Sequence, residues 1–134
     1  ILVNNAGIIR RADFLALAEA DFDRVLRVNL KGAFLVGQAA ARRMVAQIEA
    51  GKPPGSIINM SSIYAVVAIA NHTPYCVSKG GVDQLTKVMA VALALPPELS
   101  DPPGWLLKGI QFSRMPQPYT CSIRLCATIF PFGL

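Results

Sequence analysis

Two short apolar segments alternate with two long helical patterns in the first 95 residues, and this alternation constrains the fold most. Ile1–Val3 and the segment 57–60 have the length and apolar character of buried strands. Apolar residues recur at three- and four-residue spacing over about 19–48, and again from 73 towards 95. Strand, helix, strand and helix in this order predict an α/β fold with a parallel sheet and right-handed crossovers.

Small and polar residues follow both predicted strands. Asn4–Gly7 comes directly after the first strand, and Ser61 and Ser62 come after the second. Thr73 and Pro74 form a helix start, with Thr73 as the N-cap and Pro74 at the first helical position. Because ligands of parallel α/β sheets bind beyond the carboxyl ends of the strands, a binding site is expected there.

The composition changes at residue 96 and divides the chain into two parts, 1–95 and 96–134. The second part holds seven of the ten prolines and two of the three cysteines. Since proline interrupts helices and central strands, we expect no regular element there beyond a short strand near 121–129. Ala18 precedes the first helix without a capping hydroxyl, which costs about 1 kcal/mol relative to Ser or Thr.

Charge and cysteine content exclude several classes of function. The net charge is +5, but the arginines are spread in pairs without interleaved aromatic residues, so we expect no nucleic-acid partner. No run of 18 apolar residues occurs, and we expect no membrane span. Cys76, Cys121 and Cys126 form no metal-ligand pattern, so no metal is expected. An odd cysteine count and an N-terminus unlike a signal peptide predict a cytoplasmic protein, and the lack of an initial Met suggests a missing N-terminal part.

Tyr75 and Lys79 are four residues apart on the predicted second helix and therefore share one face. An ammonium group close to a phenol favours the phenolate, which can exchange a proton with an alcohol or a carbonyl oxygen. A hydroxyl at Ser62 could hydrogen-bond the same substrate oxygen. Such pairs also occur on ordinary helix surfaces, so the spacing alone leaves both interpretations open.

Four motifs in order resemble the short-chain dehydrogenase/reductase family. They are Asn-Asn-Ala-Gly at 4–7, Val-Asn-Leu at 28–30, Ser-Ser at 61–62 and Tyr-Cys-Val-Ser-Lys at 75–79, with Ser62 thirteen residues before Tyr75. The resemblance covers about residues 1–95. It implies a partial Rossmann-like, doubly wound parallel sheet with NAD or NADP as cofactor and a small-molecule alcohol or ketone as substrate. It also implies that the parent protein is a homodimer or homotetramer.

The resemblance assigns roles residue by residue. Tyr75 is implied to be the general acid/base, and Lys79 its charged partner, which also hydrogen-bonds the nicotinamide ribose. Ser62 is implied to orient the substrate. Asn29 corresponds to a helix residue whose backbone carbonyl holds a water in the proton relay. The turn against the cofactor ribose is implied to be Asn5, Ala6 and Gly7, and Gly7 lets the backbone approach a ligand closely.

Other residues near these motifs have simpler interpretations. Ser61 is expected to bond backbone at a strand end. His72 is expected to lie in a loop near the substrate mouth, and Cys76 to pack as a small apolar residue.

The chain also departs from the family. It contains no Gly-x-x-x-Gly-x-Gly phosphate loop, and residues 96–134 do not match. The N-terminal cofactor half and the C-terminal strands of the family are thus missing, through divergence or an interrupted reading frame. Two hypotheses remain: an NAD(P)-dependent oxidoreductase acting on a secondary alcohol and a ketone, or a catalytically incomplete fragment that serves at most as an interaction or vestigial protein.

Overall fold

The computed structural model describes residues 1–94 and the strand at 122–126, with side chains described through residue 93. Its elements follow the predicted alternation of strands and helices. In chain order they are β1 (Leu2–Asn4), α1 (Glu19–Leu26), a π-helical turn (Arg27–Lys31), α2 (Gly32–Glu49), β2 (Ser56–Met60), a 3₁₀ turn (Ile63–Ala65), α3 (Thr73–Ala94) and β3 (Ser122–Cys126).

The three strands form one parallel sheet in the order β1-β2-β3. Ile57 of β2 lies opposite Leu2 on one side and Ile123 on the other, so β2 is central. This confirms the parallel α/β sheet. The short strand expected near 121–129 is present as β3, which adds a third strand to the two central ones implied by the resemblance. The proposed boundary at residue 96 lies outside the described residues.

The long helix expected over 19–48 is interrupted by the π-helical turn at Arg27–Lys31. It begins at Glu19 after an extended Ala18 that makes no side-chain cap, while Glu19 and Asp21 place negative charge in the first turn. A π-helical turn inserts one extra residue into a helix, and one residue corresponds to a rotation of about 100° around the helix axis. The apolar stripe read at regular helical spacing therefore changes face at this point.

The rotation explains which helix residues reach the core. Val25 of α1 is buried, but Phe34 and Leu35, which regular spacing placed on the same stripe, are exposed. After the π turn the buried positions of α2 are instead Gly37, Ala41 and Met44. Ala41 and Met44 pack on Ile57 of the central strand, with four partly buried neighbours around them: Leu2, Ala40, Met89 and Leu93.

The first strand adds Leu2 to this core, but the neighbours of Leu2 on both sides are exposed. Ile1 and Val3 are 92% and 53% exposed. Because the sequence supplies two central strands without the flanking strands of the family, we expected Ile57 and Ile58 to be partly exposed as well. That expectation is wrong for Ile57, which is fully buried because β1 and β3 flank β2 and the helices cover it. Among helices within residues 1–94, none combines the length and the apolarity that crossing a bilayer requires.

The 134-residue chain by itself is predicted to unfold without a sharp transition and to show no upward shift with NADH or NADPH. Each apolar side chain left exposed forfeits about 1.5–3 kcal/mol of burial, while a whole domain is stable by only about 5–15 kcal/mol. The phosphate-binding loop that would strengthen dinucleotide binding does not occur in this sequence. Thermal denaturation followed by circular dichroism tests this, and a sharp transition that rises with either dinucleotide would contradict it.

Candidate active site

Lys79 links α3 to the end of β2, the central strand. Its Nζ atom donates a hydrogen bond of 2.7 Å to the carbonyl oxygen of Met60, the last residue of β2. The side chain lies on α3 and is only 5% exposed. The ammonium group is therefore held beneath the carboxyl end of the sheet, where the sequence placed the site.

Burial and a neighbouring carboxylate act on Lys79 in opposite directions. Desolvation by burial lowers the pKa of Lys79 below its ordinary value of 10.5, and the negative charge of Asp83 offsets part of this effect. Asp83 lies four residues further along α3, so both side chains occupy one helix face. Lys79 Nζ also lies 5.7 Å from the centroid of the Tyr75 ring. The expected juxtaposition of Tyr75 and Lys79 is thus present.

Asn29 joins the segment after β1 to the helix that carries Tyr75. Its Oδ1 accepts a hydrogen bond from the Ile8 amide at 2.8 Å, and its Nδ2 donates to the Ile8 carbonyl at 2.9 Å. Nδ2 also donates to Ser78 Oγ at 3.0 Å, and Ser78 in turn donates to the Tyr75 carbonyl at 2.8 Å. Asn29 is buried within the π-helical turn, so its whole side-chain amide is used to fix these two segments.

The turn after β1 has an open face beside these groups. Asn5, Ala6 and Gly7 are all exposed. A Cβ atom added to Gly7 would stand 3.5 Å from Asn29 Oδ1 and 3.9 Å from Lys79 Nζ, so a side chain at this position would be directed at both groups. The glycine leaves this approach to the ammonium group unobstructed, and a ligand can lie there against the backbone.

The residues present fit the ribose of a dinucleotide. An ammonium group carries three N–H donors, and the Met60 carbonyl takes one of those on Lys79. The remaining donors can serve vicinal hydroxyls. Gly7, in the exposed turn of residues 5–7, borders the same space. A pyrophosphate would need further backbone N–H donors, such as those of the glycine-rich loop that the sequence does not contain.

The two serines after β2 have different surroundings. Ser62 Oγ accepts a hydrogen bond from the Tyr64 amide at 3.2 Å and caps the 3₁₀ turn. Because the oxygen is the acceptor in this bond, the hydroxyl hydrogen can still be donated to another group. A hydroxyl of this kind can donate to a substrate oxygen. Ser61 is buried and donates to the Lys79 carbonyl at 3.5 Å, which confirms the expectation that it bonds backbone.

A buried polar network behind the site was missed from the sequence. Asn59 is fully buried, accepts from Asn4 Nδ2 at 2.8 Å and donates to Thr86 Oγ1 at 2.9 Å. Asn4 also donates to the Ala33 carbonyl at 3.2 Å. The two asparagines lie opposite each other in the register of β1 and β2. No local pattern signals this pairing, because it requires knowledge of the register.

The start of α3 differs from the expectation by one residue. The Cys76 amide donates to the His72 carbonyl at 2.9 Å, so the N-cap position belongs to His72 and Thr73 is already helical. His72 lies in the loop before α3, as expected, but it is buried, and its ring centroid is 5.9 Å from that of Tyr64. Cys76 is half-buried and forms no disulfide.

Within residues 1–93, no three side chains of His, Cys, Asp or Glu come together in a way that could hold a metal ion. The expectation that Cys121 and Cys126 bind no metal concerns side chains outside the described ones.

Comparison with known proteins agrees with this arrangement. Residues 1–95 match the family model of the short chain dehydrogenases. The chain is 42% identical to human L-xylulose reductase over 93 residues, which make up 69% of this chain and 36% of that protein.

Solved structures give the same fold. One is gluconate 5-dehydrogenase from Burkholderia cenocepacia J2315 in complex with NADP and tartrate, with a TM-score of 0.64 and 44% identity over 69% of this chain and 34% of the other. Another is 4-hydroxyisoleucine dehydrogenase with NADH and succinate, with a TM-score of 0.62 and 32% identity over 69% of this chain and 42% of the other. The chain thus spans about a third of the length of the curated relatives it matches.

Replacing Asn29 by Leu in the full-length protein is predicted to lower the free energy of unfolding by at least about 2 kcal/mol. Leucine has a similar volume but leaves both backbone groups of Ile8 without their side-chain partner, and each buried unsatisfied group costs about 1–3 kcal/mol. Chemical denaturation measures the change. Gln38→Leu, at an exposed position of α2, is the control and should stay within about 0.5 kcal/mol of the wild type. Equal stability of the two variants would contradict a stabilising role of the hydrogen bonds between Asn29 and Ile8.

Proposed function

The chain belongs to the short-chain dehydrogenase family, and on this basis we propose that the protein is an NAD(P)-dependent oxidoreductase. It interconverts a secondary alcohol and a ketone. The observation that carries the proposal is the position of the Tyr75–Lys79 pair: the ammonium group is anchored to the last carbonyl of β2 and lies 5.7 Å from the phenol ring. This is the edge of a parallel sheet at which ligands bind.

Tyr75 exchanges the proton in this proposal. In reduction its hydroxyl donates to the carbonyl oxygen of the substrate, and in oxidation its phenolate accepts the proton of the alcohol. The positive charge of Lys79 stabilises the phenolate, and its low exposure limits screening by water. Ser62 donates to the same substrate oxygen and stabilises the charge that develops on it.

The cofactor ribose is held by Lys79 and by the turn of Asn5, Ala6 and Gly7. NAD or NADP supplies hydride transfer when bound. Support comes from the solved relatives, one of which holds NADP and another NADH, so both cofactors stay open for this protein. We also propose that the backbone carbonyl of Asn29 holds a water in the proton relay to Lys79. The side chain of Asn29 is fully engaged with Ile8 and Ser78, which fixes the position of that backbone.

The substrate is proposed to be a small-molecule alcohol or ketone. L-xylulose reductase and gluconate 5-dehydrogenase, two similar proteins, are both named for small hydroxylated molecules. The cytoplasmic location expected from the sequence stays a prediction.

Self-association through the helices is a further proposal. An open groove of about 620 Å³ lies along the helices. It is lined by four apolar residues (Leu26, Leu30, Phe34 and Leu85) and three charged ones (Asp23, Arg27 and Lys31). Phe34 and Leu35 are 43% and 50% exposed and can contact a second copy in a homodimer or homotetramer. The sequence also offers Met44 and Val82 on the same helices for such faces, but both are buried within the chain.

The alternative function, a catalytically incomplete fragment that serves as an interaction or vestigial protein, is favoured by two features of the sequence. The 134 residues contain no glycine-rich phosphate loop, and the tail from residue 96 departs from the family's motifs. The two functions differ in dinucleotide binding by the full-length protein. Binding of NADH or NADPH in a fluorescence titration supports the oxidoreductase. Absence of binding supports the protein without catalysis.

Replacing Tyr75 by Phe in the full-length protein is predicted to abolish turnover while dinucleotide binding persists. Phenylalanine keeps the ring but removes the group that exchanges the proton, and general acid/base groups contribute about 10²–10⁴-fold. The rate is followed by NAD(P)H absorbance, with cofactor affinity measured separately. Tyr64→Phe is the matched control, since Tyr64 contacts Tyr75 through its ring and that ring is kept. Retention of more than about a tenth of the rate by the Tyr75 variant would contradict the assigned role.

A further inference from the structure

Two adjacent hydrogen bonds connect the long loop after β1 to the turn that begins α3. Arg11 Nε donates to His72 Nε2 at 3.0 Å. Beside it, the Ala12 amide donates to the Asn71 carbonyl at 3.1 Å. Asn71 has a φ of 63°, a left-handed conformation that asparagine adopts more readily than most residues. The turn before α3 therefore has a defined shape, and the loop after β1 is bonded to it at two consecutive positions.

The partners of His72 define its tautomer and orientation. An arginine side chain can only donate, so the bond from Arg11 requires Nε2 of His72 to be the acceptor. The proton of the neutral ring then sits on Nδ1, which donates to the Ala70 carbonyl at 2.7 Å. His72 is 8% exposed, and both ring nitrogens are satisfied. Turning the ring over would break both bonds, so this geometry is strongly preferred.

His72 is connected to Tyr75 by backbone and by packing. Its carbonyl oxygen accepts the first hydrogen bond of α3, from the amide of Cys76, the residue after Tyr75. Its ring lies 5.9 Å from that of Tyr64. The Tyr64 ring in turn meets the Tyr75 ring edge to face at 6.2 Å and 81°. His72 is thus connected to the Tyr75 side chain both through the first turn of α3 and through the Tyr64 ring.

We propose that Arg11 and His72 are positioning residues for Tyr75, and that their hydrogen bond holds the first turn of α3 and the Tyr64 ring in the orientation that the reaction needs. Neither residue exchanges a proton with the substrate. The inference rests on the proposed function, because it assigns Tyr75 a geometry to be kept. It adds to that function a second anchor, separate from the Asn29–Ser78 contact that reaches the Tyr75 carbonyl.

The test uses Arg11→Met in the full-length protein. Arg11 is exposed, so the variant is expected to fold, and methionine keeps a long side chain while removing the donor. A misplaced reacting group lowers the rate of a bound substrate, so kcat should fall about 10- to 100-fold with KM and cofactor affinity unchanged. Arg11→Lys, which retains a cationic donor, should recover most of the rate.

Arg10→Met is the matched control. Arg10 is the neighbouring residue and is also exposed, but its Nε bonds Asp21 at 3.2 Å instead of His72. It loses the same charge, so a purely electrostatic effect would appear in both variants. The proposal predicts that Arg10→Met keeps the wild-type kcat.

A second measurement does not depend on activity. Amide hydrogen exchange should become faster by about 10-fold or more at Ala12 and Cys76 in Arg11→Met, because both amides donate to the turn that the contact holds. The amide of Gly51, bonded to Ile48 at the far end of α2, should be unchanged.

Wild-type kcat and KM in Arg11→Met would overturn the proposal. A raised KM with unchanged kcat would also overturn it, because that result indicates direct contact between Arg11 and the substrate. An equal loss in Arg10→Met also overturns it. If the wild type has no activity, the proposed function fails, and the exchange experiment alone tests whether the Arg11–His72 bond holds the first turn of α3. Faster exchange at Cys76 supports this role, and unchanged exchange overturns it.

Discussion

The site depends on one buried ammonium group. A charged lysine buried at the end of a sheet is unfavourable unless its donors find partners, and the 2.7 Å bond from Lys79 to the Met60 carbonyl supplies one of them. That carbonyl is available because β2 ends there, at the carboxyl edge of a parallel sheet. Asp83 adds a compensating negative charge from the next turn of α3. The position of α3 along the sheet, and with it that of Tyr75, is thereby tied to the end of the central strand.

Polar contacts hold the surrounding elements around this lysine. Asn29 bonds Ile8 after β1 and reaches Ser78 on α3, while Asn59 bridges β1 to α3 through Asn4 and Thr86. Hydrogen bonds of this kind are directional, and in a buried setting an unmade bond is costly. They define a single arrangement more sharply than the apolar contacts do. The candidate site is therefore preorganised by side chains that take no part in the chemistry.

Sequence periodicity predicted the type and order of the elements, because 3.6- and 2-residue repeats depend only on local geometry. It also placed Tyr75 and Lys79 on one face, since both lie on one uninterrupted helix. It failed at Phe34 and Leu35, because the π-helical turn at Arg27–Lys31 rotates the face and nothing in the apolar spacing marks it. The burial of Asn59 and of His72 depends on partners 27 to 61 residues away, which only the folded chain brings together.

The most direct measurement of the account is made on Lys79→Met in the full-length protein. Methionine fills the buried path of the side chain but removes the ammonium group, its bond to Met60 and its donors to the ribose. Two quantities are measured: cofactor dissociation by fluorescence titration, and kcat by NAD(P)H absorbance. The account predicts that the dissociation constant rises about 10-fold or more and that kcat falls about 100-fold or more, the range of losses that charged hydrogen-bond donors and acid/base groups produce. Wild-type affinity together with wild-type turnover would contradict it.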